Sequence, residues 1–319
     1  MRKYEFLYKL EKALSSMDES DRNAAMRYYE EYFEDAGAEN EQKVIEELGT
    51  PEELAKTIMN DADEACCRKN ENADSHNEVQ CGDFVDMDLP AFKSIQGKMV
   101  NSALQIERGD AYGMEWSCDN PLAKLEYRIC DGTLYYQEKI TPKKKSGVNL
   151  FNSNGGRLIV YLPSETFDNI AVKNVNGSIR IEDLMADTLA AGTVNGSVTV
   201  SASSFEKTIM ESVNGSISGV EMTTNEFKGK TVNGSIKVDG TFNGNVNMST
   251  VNGSIRVTTS LGENEYNYKL STWGSIRIND KKVGLDNLIG RGDASINNGA
   301  VHDMNISAVH GSVKIATAQ

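Results

Sequence analysis

Few residues in this chain have the type and spacing that chemistry needs. Histidine occurs at positions 76, 302 and 310. His302 and His310 stand eight apart and neither belongs to a His-Glu-x-x-His pattern, so no metal site is expected. The five cysteines, Cys66, Cys67, Cys81, Cys118 and Cys130, are odd in number and form no Cys-x-x-Cys pair. Reduced thiols are expected rather than a disulfide framework or a zinc site. Cys66 and Cys67 adjoin Arg68 and Lys69, an arrangement compatible with acylation, but nothing else there resembles a membrane anchor. There is no Gly-x-Ser-x-Gly elbow, Walker loop or dinucleotide fingerprint, and no acid pair can be assigned from spacing. The expectation is a protein without enzymatic activity, cofactor or metal.

Two further patterns tempt. Asn-Gly-Ser occurs five times and matches the N-glycosylation acceptor, but no signal peptide is recognisable in the charged N-terminus to lead into a glycosylating compartment. Arg-Gly-Asp occurs at 108–110 and at 291–293, where Gly-Asp is expected to make a turn. Lys143 to Lys145, after Pro142, read as a solvated loop.

The Asn-Gly-Ser triplets belong to something larger. Val175-Asn176-Gly177-Ser178-Ile179 returns with Asn195 and Gly196, Asn214 and Gly215, Asn233 and Gly234, and Asn252 and Gly253, so every interval is 19 residues. The series then frays through Trp273-Gly274-Ser275-Ile276, Ala294-Ser295-Ile296 and His310-Gly311-Ser312-Val313. A unit of this length cannot fold alone. Stacked at about 4.8 Å, such units pair each strand with its next copy and bury a continuous core. The expected architecture is therefore a parallel β-solenoid (β-helix), regular over about 158–319, with Gly156-Arg157-Leu158 as an irregular first turn. Alternation admits two readings. Either Val175, Gly177, Ile179 and Ile181 point inward, or Asn-Gly is a corner with Asn stacked in a ladder. Outside the coil, Arg180, Lys237, Arg256, Arg277 and Lys314 each follow their glycine by three residues, with Thr199 and Ser218 interrupting the column. Such a column could meet an anionic polymer or an acidic partner, or could simply be a charged face that discourages sheet aggregation.

The remaining chain supplies different elements. Phe6, Leu7, Leu10 and Leu14 form one helical stripe, followed by a segment with Tyr28, Tyr29, Tyr32 and Phe33, and a third with Val44, Ile45 and Leu48. Thr50-Pro51-Glu52-Glu53 opens a fourth helix after Gly49. The aromatic residues exceed what so small a core readily buries, which makes Tyr28, Tyr29 and Tyr32 candidates for docking a partner. Residues 1–60 are the expected helical module, 61–82 a polar flexible linker, and 83–319 the β domain, which is an α+β multidomain arrangement. From Phe84 the period changes to two, with strands expected around Phe92, Ile95, Leu104, Trp116, Leu125 and Leu134.

Charge is uneven. The chain carries a net -14, and residues 1–65 hold 18 acidic and 8 basic side chains, a net of -10. This argues against nucleic acid as a direct ligand. The longest apolar run, Leu158 to Leu162, is too short to span a bilayer. A cytoplasmic protein is expected, or one peripheral to the cell envelope. The exposed end of a coil tends to add strands, so a homodimer is conceivable.

Two blocks are familiar. "EFLYKLEKAL", "YYEEYFEDA" and "VIEELGTPEELAKTI" resemble the HAAS domain (DUF1700-like). That resemblance implies a small helical signalling module of the kind often encoded beside PadR-type regulators. Many such modules precede membrane helices, and this chain departs from them there. From about Phe84 onward the chain resembles the DUF4097 β-strand repeat proteins, through its repeated Val-Asn-Gly-Ser-Ile/Val. This implies an adhesin-like label, links in some relatives to envelope-stress signalling, and no known catalytic residues. The combined expectation is a bacterial signalling or scaffold protein with a protein partner, either a regulator or an envelope-stress component. The alternative is an envelope-associated, adhesin-like protein that binds a polymer or cell-surface component.

Overall fold

The computed structural model describes residues 3–14, 77–80, 85–140, 155–283 and 292–318, with isolated positions at 22, 26, 29, 33, 45, 48–51, 54 and 55. The chain divides into two compact units, Met1–Asp74 and Ser75–Gln319.

In the first unit the stripe read from sequence is the buried face. Helix Lys3–Ala13 buries Phe6, Leu7 and Leu10, and with Leu14 these meet Phe33, Ile45, Leu54 and Ala55 in one core. The Phe6 and Phe33 rings meet edge-on at 5.7 Å. Gly49 has φ +76° and its N–H donates to Ile45 O at 3.1 Å, so a residue without Cβ ends that helix. Leu54 N–H donates to Thr50 O at 2.9 Å, as expected for a helix entered through Thr50-Pro51.

The second unit is all β. Two columns of parallel strands carry the repeat. In one, Ile179, Val198, Ile217, Ile236 and Ile255 lie in register, each 19 residues from the next. In the other, Ile170 pairs with Leu189, Leu189 with Thr208, Thr208 with Phe227 and Phe227 with Val246. Each rung therefore contributes one strand to each column. The inward side chains between them form a single apolar core running from Phe92 to Ile315.

Both ends depart from chain order. At the C-terminal end, strand Val313–Ala318 lies between Ile255–Gly262 and Ile276–Ile278, and His302–His310 lies between Val246–Asn252 and Tyr266–Thr272. The last rung in sequence is thus next to last in space. The corners differ in length. Val309-His310-Gly311 has the three residues of Val251-Asn252-Gly253 and lies against it, whereas only Trp273 and Gly274 follow inward Thr272 in the outer rung. At the other end, Ser94–Lys98 and Ala103–Arg108 lie beneath the Thr166–Asn174 rung, with Thr133–Ile140 and Arg157–Leu162 beneath them in turn. The stack therefore begins well before 158, and Gly156-Arg157-Leu158 belongs to its outermost rung rather than to the turn next to Gly177.

Three other expectations are corrected. Residues 77–80, placed within the linker, form strand Asn77–Gln80, antiparallel to Ala123–Cys130. The unit is not purely parallel. Antiparallel strands Gly113–Ser117 and Ala123–Cys130 cover the first rung, and Lys281–Lys282 and Gly292–Ile296 cover the last. Among the described residues, each strand of the last rung thus carries a short antiparallel strand on its outer side. Finally, Gly292-Asp293 lies in a strand, not in a turn.

Candidate interaction surface

Between the two strand columns the chain turns a corner at Val-Asn-Gly, and this corner settles the inward or outward question. Val175, Val194, Val213 and Val251 are 39–42% exposed, so the reading that points Val175 inward fails. The inward position is one residue earlier, where Asn174, Thr193, Ser212, Thr231 and Thr250 are buried. Each uses its polar atom on the rung below. Thr193 Oγ1 donates to Gly177 O at 2.9 Å, Ser212 Oγ to Gly196 O at 2.9 Å, Thr231 Oγ1 to Gly215 O at 2.8 Å and Thr250 Oγ1 to Gly234 O at 2.8 Å. Asn174 Nδ2 donates to Ser102 O at 2.8 Å. The motif-based reading passed over this column. Its signal was present, since the same 19-residue step recurs one residue before each repeated valine.

The Asn column is a continuous amide ladder. Nδ2 donates to Oδ1 of the next rung from Asn252 through Asn233, Asn214, Asn195 and Asn176 to Asn101, at 2.8–2.9 Å throughout. His310 continues the column beside Asn252. The glycines have ordinary negative φ and are needed for a different reason. A Cβ on Gly196 would lie 2.3 Å from Gly177 O, and one on Gly215 would lie 1.8 Å from Gly196 O. Rungs 19 residues apart approach so closely here that no side chain fits. Ser102 stands at the glycine level of the first ladder rung, where a carboxylate replaces the corner below. Buried Glu138 accepts the N–H groups of Val100, Asn101 and Ser102 at 2.7, 2.9 and 3.1 Å, and the Ser102 hydroxyl at 2.7 Å.

Beyond the corner, the serine and cation positions face outward. In space the cation column runs Arg180, Thr199, Ser218, Lys237, Arg256, Lys314, Arg277. Four basic side chains thus occupy consecutive rungs, a run hidden in the sequence because Lys314 inserts before Arg277. Arg180 stands apart, three rungs from the nearest of them. Ser254, Ser312 and Ser275 with Arg256, Lys314 and Arg277 line an open groove of about 270 Å³. Lys314 pairs with Asp280 at 2.7 Å. That hydrogen bond and the Lys314 and Arg277 charges hold the Asp280 carboxyl below its usual range.

On the other strand column a groove of about 500 Å³ is lined by Lys228, Lys230, Lys269, Asn247, Asn305 and neighbours. Lys228 pairs with Glu211 at 3.0 Å, and Asn305 Nδ2 donates to Asn247 Oδ1 at 3.2 Å. In the helical unit Tyr29 is half-buried against the core, Tyr8 is 67% exposed, and Tyr28 and Tyr32 lie outside the described residues. Among the described residues no group of three or more His, Cys, Asp or Glu side chains could hold a metal ion, and no helix is long and apolar enough to cross a membrane.

The β unit is a repeat protein that presents columns of side chains at a fixed spacing. The chain belongs to the Toastrack DUF4097 family, which it matches over residues 131–319, and it matches the HAAS domain over residues 5–57. No curated protein matches it. Among solved structures it is similar to a "putative cell adhesion protein" from Clostridium sporogenes, at 12% identity and a TM-score of 0.36, covering 76% of this chain and 100% of that one. It is also similar to a "putative adhesin" from Bacteroides fragilis, at 12% identity and 0.40, covering 76% and 98%. A third is a "putative lipid binding protein" from Parabacteroides distasonis, at 11% identity and 0.25, covering 78% and 98%.

Proposed function

We propose that this chain is a non-enzymatic binding protein. Its β unit serves as a β-solenoid scaffold with an adhesin-like interaction surface, and its helical module docks a protein partner. The observation that carries the reading is the consecutive run Lys237, Arg256, Lys314, Arg277, held one rung apart on a hydrogen-bonded stack. A rigid array needs little ordering on binding, which favours affinity. The polar groups of the repeat support a scaffold role over catalysis, because Asn, Thr and Ser side chains are spent on bonds between rungs. For the helical module, the net -10 of residues 1–65 and the exposed Tyr8 ring favour a basic protein partner. A cytoplasmic setting would suit a regulator as that partner, and a peripheral one an envelope component.

The test compares the full chain with a variant carrying Lys237→Glu, Arg256→Glu and Arg277→Glu, each mixed with bacterial cytosol and with envelope preparations. Retention by one fraction that the variant loses supports the surface reading. Equal retention of both proteins, or of neither, refutes it.

A further inference from the structure

We infer that the groove along Arg256, Lys314 and Arg277 binds an acidic polysaccharide that carries a carboxylate on successive sugar units. This rests on the binding-surface reading above and names its ligand. The groove repeats one chemical unit three times. Outward Ser254, Ser312 and Ser275 each precede a buried Ile or Val, and outward Arg256, Lys314 and Arg277 follow it. Every rung thus offers one hydroxyl and one cation on the same face. The rungs lie about 4.8 Å apart, close to the length of one pyranose unit in an extended chain. A duplex nucleic acid carries one charge per about 1.7 Å of axis and would outrun this array. A polyuronate, with one carboxylate per sugar, meets one cation per rung. Ser312 Oγ donates to Ser254 Oγ at 3.2 Å and Ser254 Oγ also accepts Ser312 N–H, which leaves the Ser254 hydroxyl proton to meet a sugar oxygen and the Ser312 oxygen to accept from a sugar hydroxyl.

Two observations locate the site at this end of the column. Lys237 has Asp239 two residues on, on its own outward face, whereas Arg256 and Lys314 have Thr258 and Ala316 there. Cation excess therefore begins at Arg256, and the column ends with Lys282 opposite Arg277. The chain also already places a carboxylate in the groove. Asn279 and Asp280 take φ +49° and +61° in the turn after strand Ile276–Ile278, which brings the fully exposed Asp280 onto Lys314. Its carboxyl, held low by Lys314 and Arg277, occupies the place where a uronate carboxylate would bind.

The test measures binding of the full chain to polygalacturonate by affinity electrophoresis and calorimetry, with neutral dextran and polyphosphate alongside. Expected are binding to polygalacturonate that weakens with added salt, and none to dextran. Arg256→Ala and Arg277→Ala should each weaken binding about threefold to fivefold, in keeping with exposed ion pairs. Asp280→Asn, which keeps a residue that tolerates positive φ, should strengthen it about threefold by freeing Lys314. The three side chains are exposed, so unchanged thermal unfolding of each variant confirms that the fold is intact. Preference for polyphosphate over polygalacturonate, or equal binding by the arginine variants, overturns the proposal. If the chain is retained by envelopes or cytosol but not by polygalacturonate, this ligand is wrong and the surface reading stands. If it is retained by none of them, both fall.

Discussion

Replacing Gly215 by alanine tests the claim that rung contact, not backbone conformation, dictates the repeated glycine. The added Cβ would lie 1.8 Å from Gly196 O and 2.5 Å from its carbonyl carbon. Ordinary contact begins near 3.4 Å, so the two corners must part by about 1.6 Å, the difference between those values. Three hydrogen bonds cross that gap. Asn214 N–H donates to Val194 O at 2.7 Å, Asn214 Nδ2 to Asn195 Oδ1 at 2.9 Å, and Ser212 Oγ to Gly196 O at 2.9 Å. None survives such a displacement. At about 1 kcal/mol each they represent about 3 kcal/mol, and the buried Ser212 hydroxyl is left without its acceptor. Against this, alanine stiffens the unfolded chain by at most about 1 kcal/mol where its φ is allowed. The steric loss wins, for a net destabilisation of about 2–3 kcal/mol. Gly192→Ala is the matched control, because its Cβ would meet nothing closer than Glu211 O at 3.9 Å. Guanidinium unfolding followed by far-UV circular dichroism should show a lower midpoint for the first variant and an unchanged or higher one for the second. A Gly215→Ala protein as stable as the parent, or two variants equally weakened, would refute the reasoning.

Other outcomes follow from the same geometry. Glu138→Gln should lower stability by about 1.5–3 kcal/mol, since one carboxylate oxygen accepts the N–H groups of Val100, Asn101 and Ser102 and a neutral amide oxygen holds them less strongly, and calorimetric unfolding would show it. Thr231→Val keeps the buried shape but removes the bond to Gly215 O, and should cost about 1 kcal/mol in the same measurement. Burial holds the Tyr127, Tyr136, Tyr266 and Tyr268 phenols above their usual 10.0, with Glu263 adding to the shift at Tyr268. The fold favours the neutral phenol, so this stability is fully present below about pH 10 and is lost as pH rises above it. Phenolate absorbance of these tyrosines should therefore rise together with loss of the circular dichroism signal. Their ionisation near pH 10 in a folded protein would contradict the burial.

Much of the architecture was legible because a stacking rule leaves a local trace. Each rung repeats the contacts of the last, so Gly177, Gly196, Gly215, Gly234 and Gly253 had to recur at one interval, and they do. The buried Thr193, Ser212, Thr231 and Thr250 recur at the same interval and could have been read too, but hydroxyl residues are common enough to hide in a motif search. The strand at Asn77–Gln80 was not legible, because its order comes from pairing with distant Ala123–Cys130 and not from its own polar residues. The candidate site was half legible. Arg256, Arg277 and Lys314 were singled out as a column, but Asp280 was not, since its approach to Lys314 depends on a turn with two residues at positive φ.

What the sequence determined by itself was the period, the helical stripe of the first module, the outward identity of the cations and the scarcity of catalytic patterns. All are consequences of neighbours a few residues away or one rung apart. What only the tertiary structure decided was the order of rungs at the two ends. Nothing local says that His302–His310 and Val313–Ala318 should slip inside Tyr266–Thr272 and Ile276–Ile278. The order that forms sets the three-residue corner Val309-His310-Gly311 against Val251-Asn252-Gly253 and leaves the shorter Trp273-Gly274 outermost, and it is what makes Arg256, Lys314 and Arg277 neighbours.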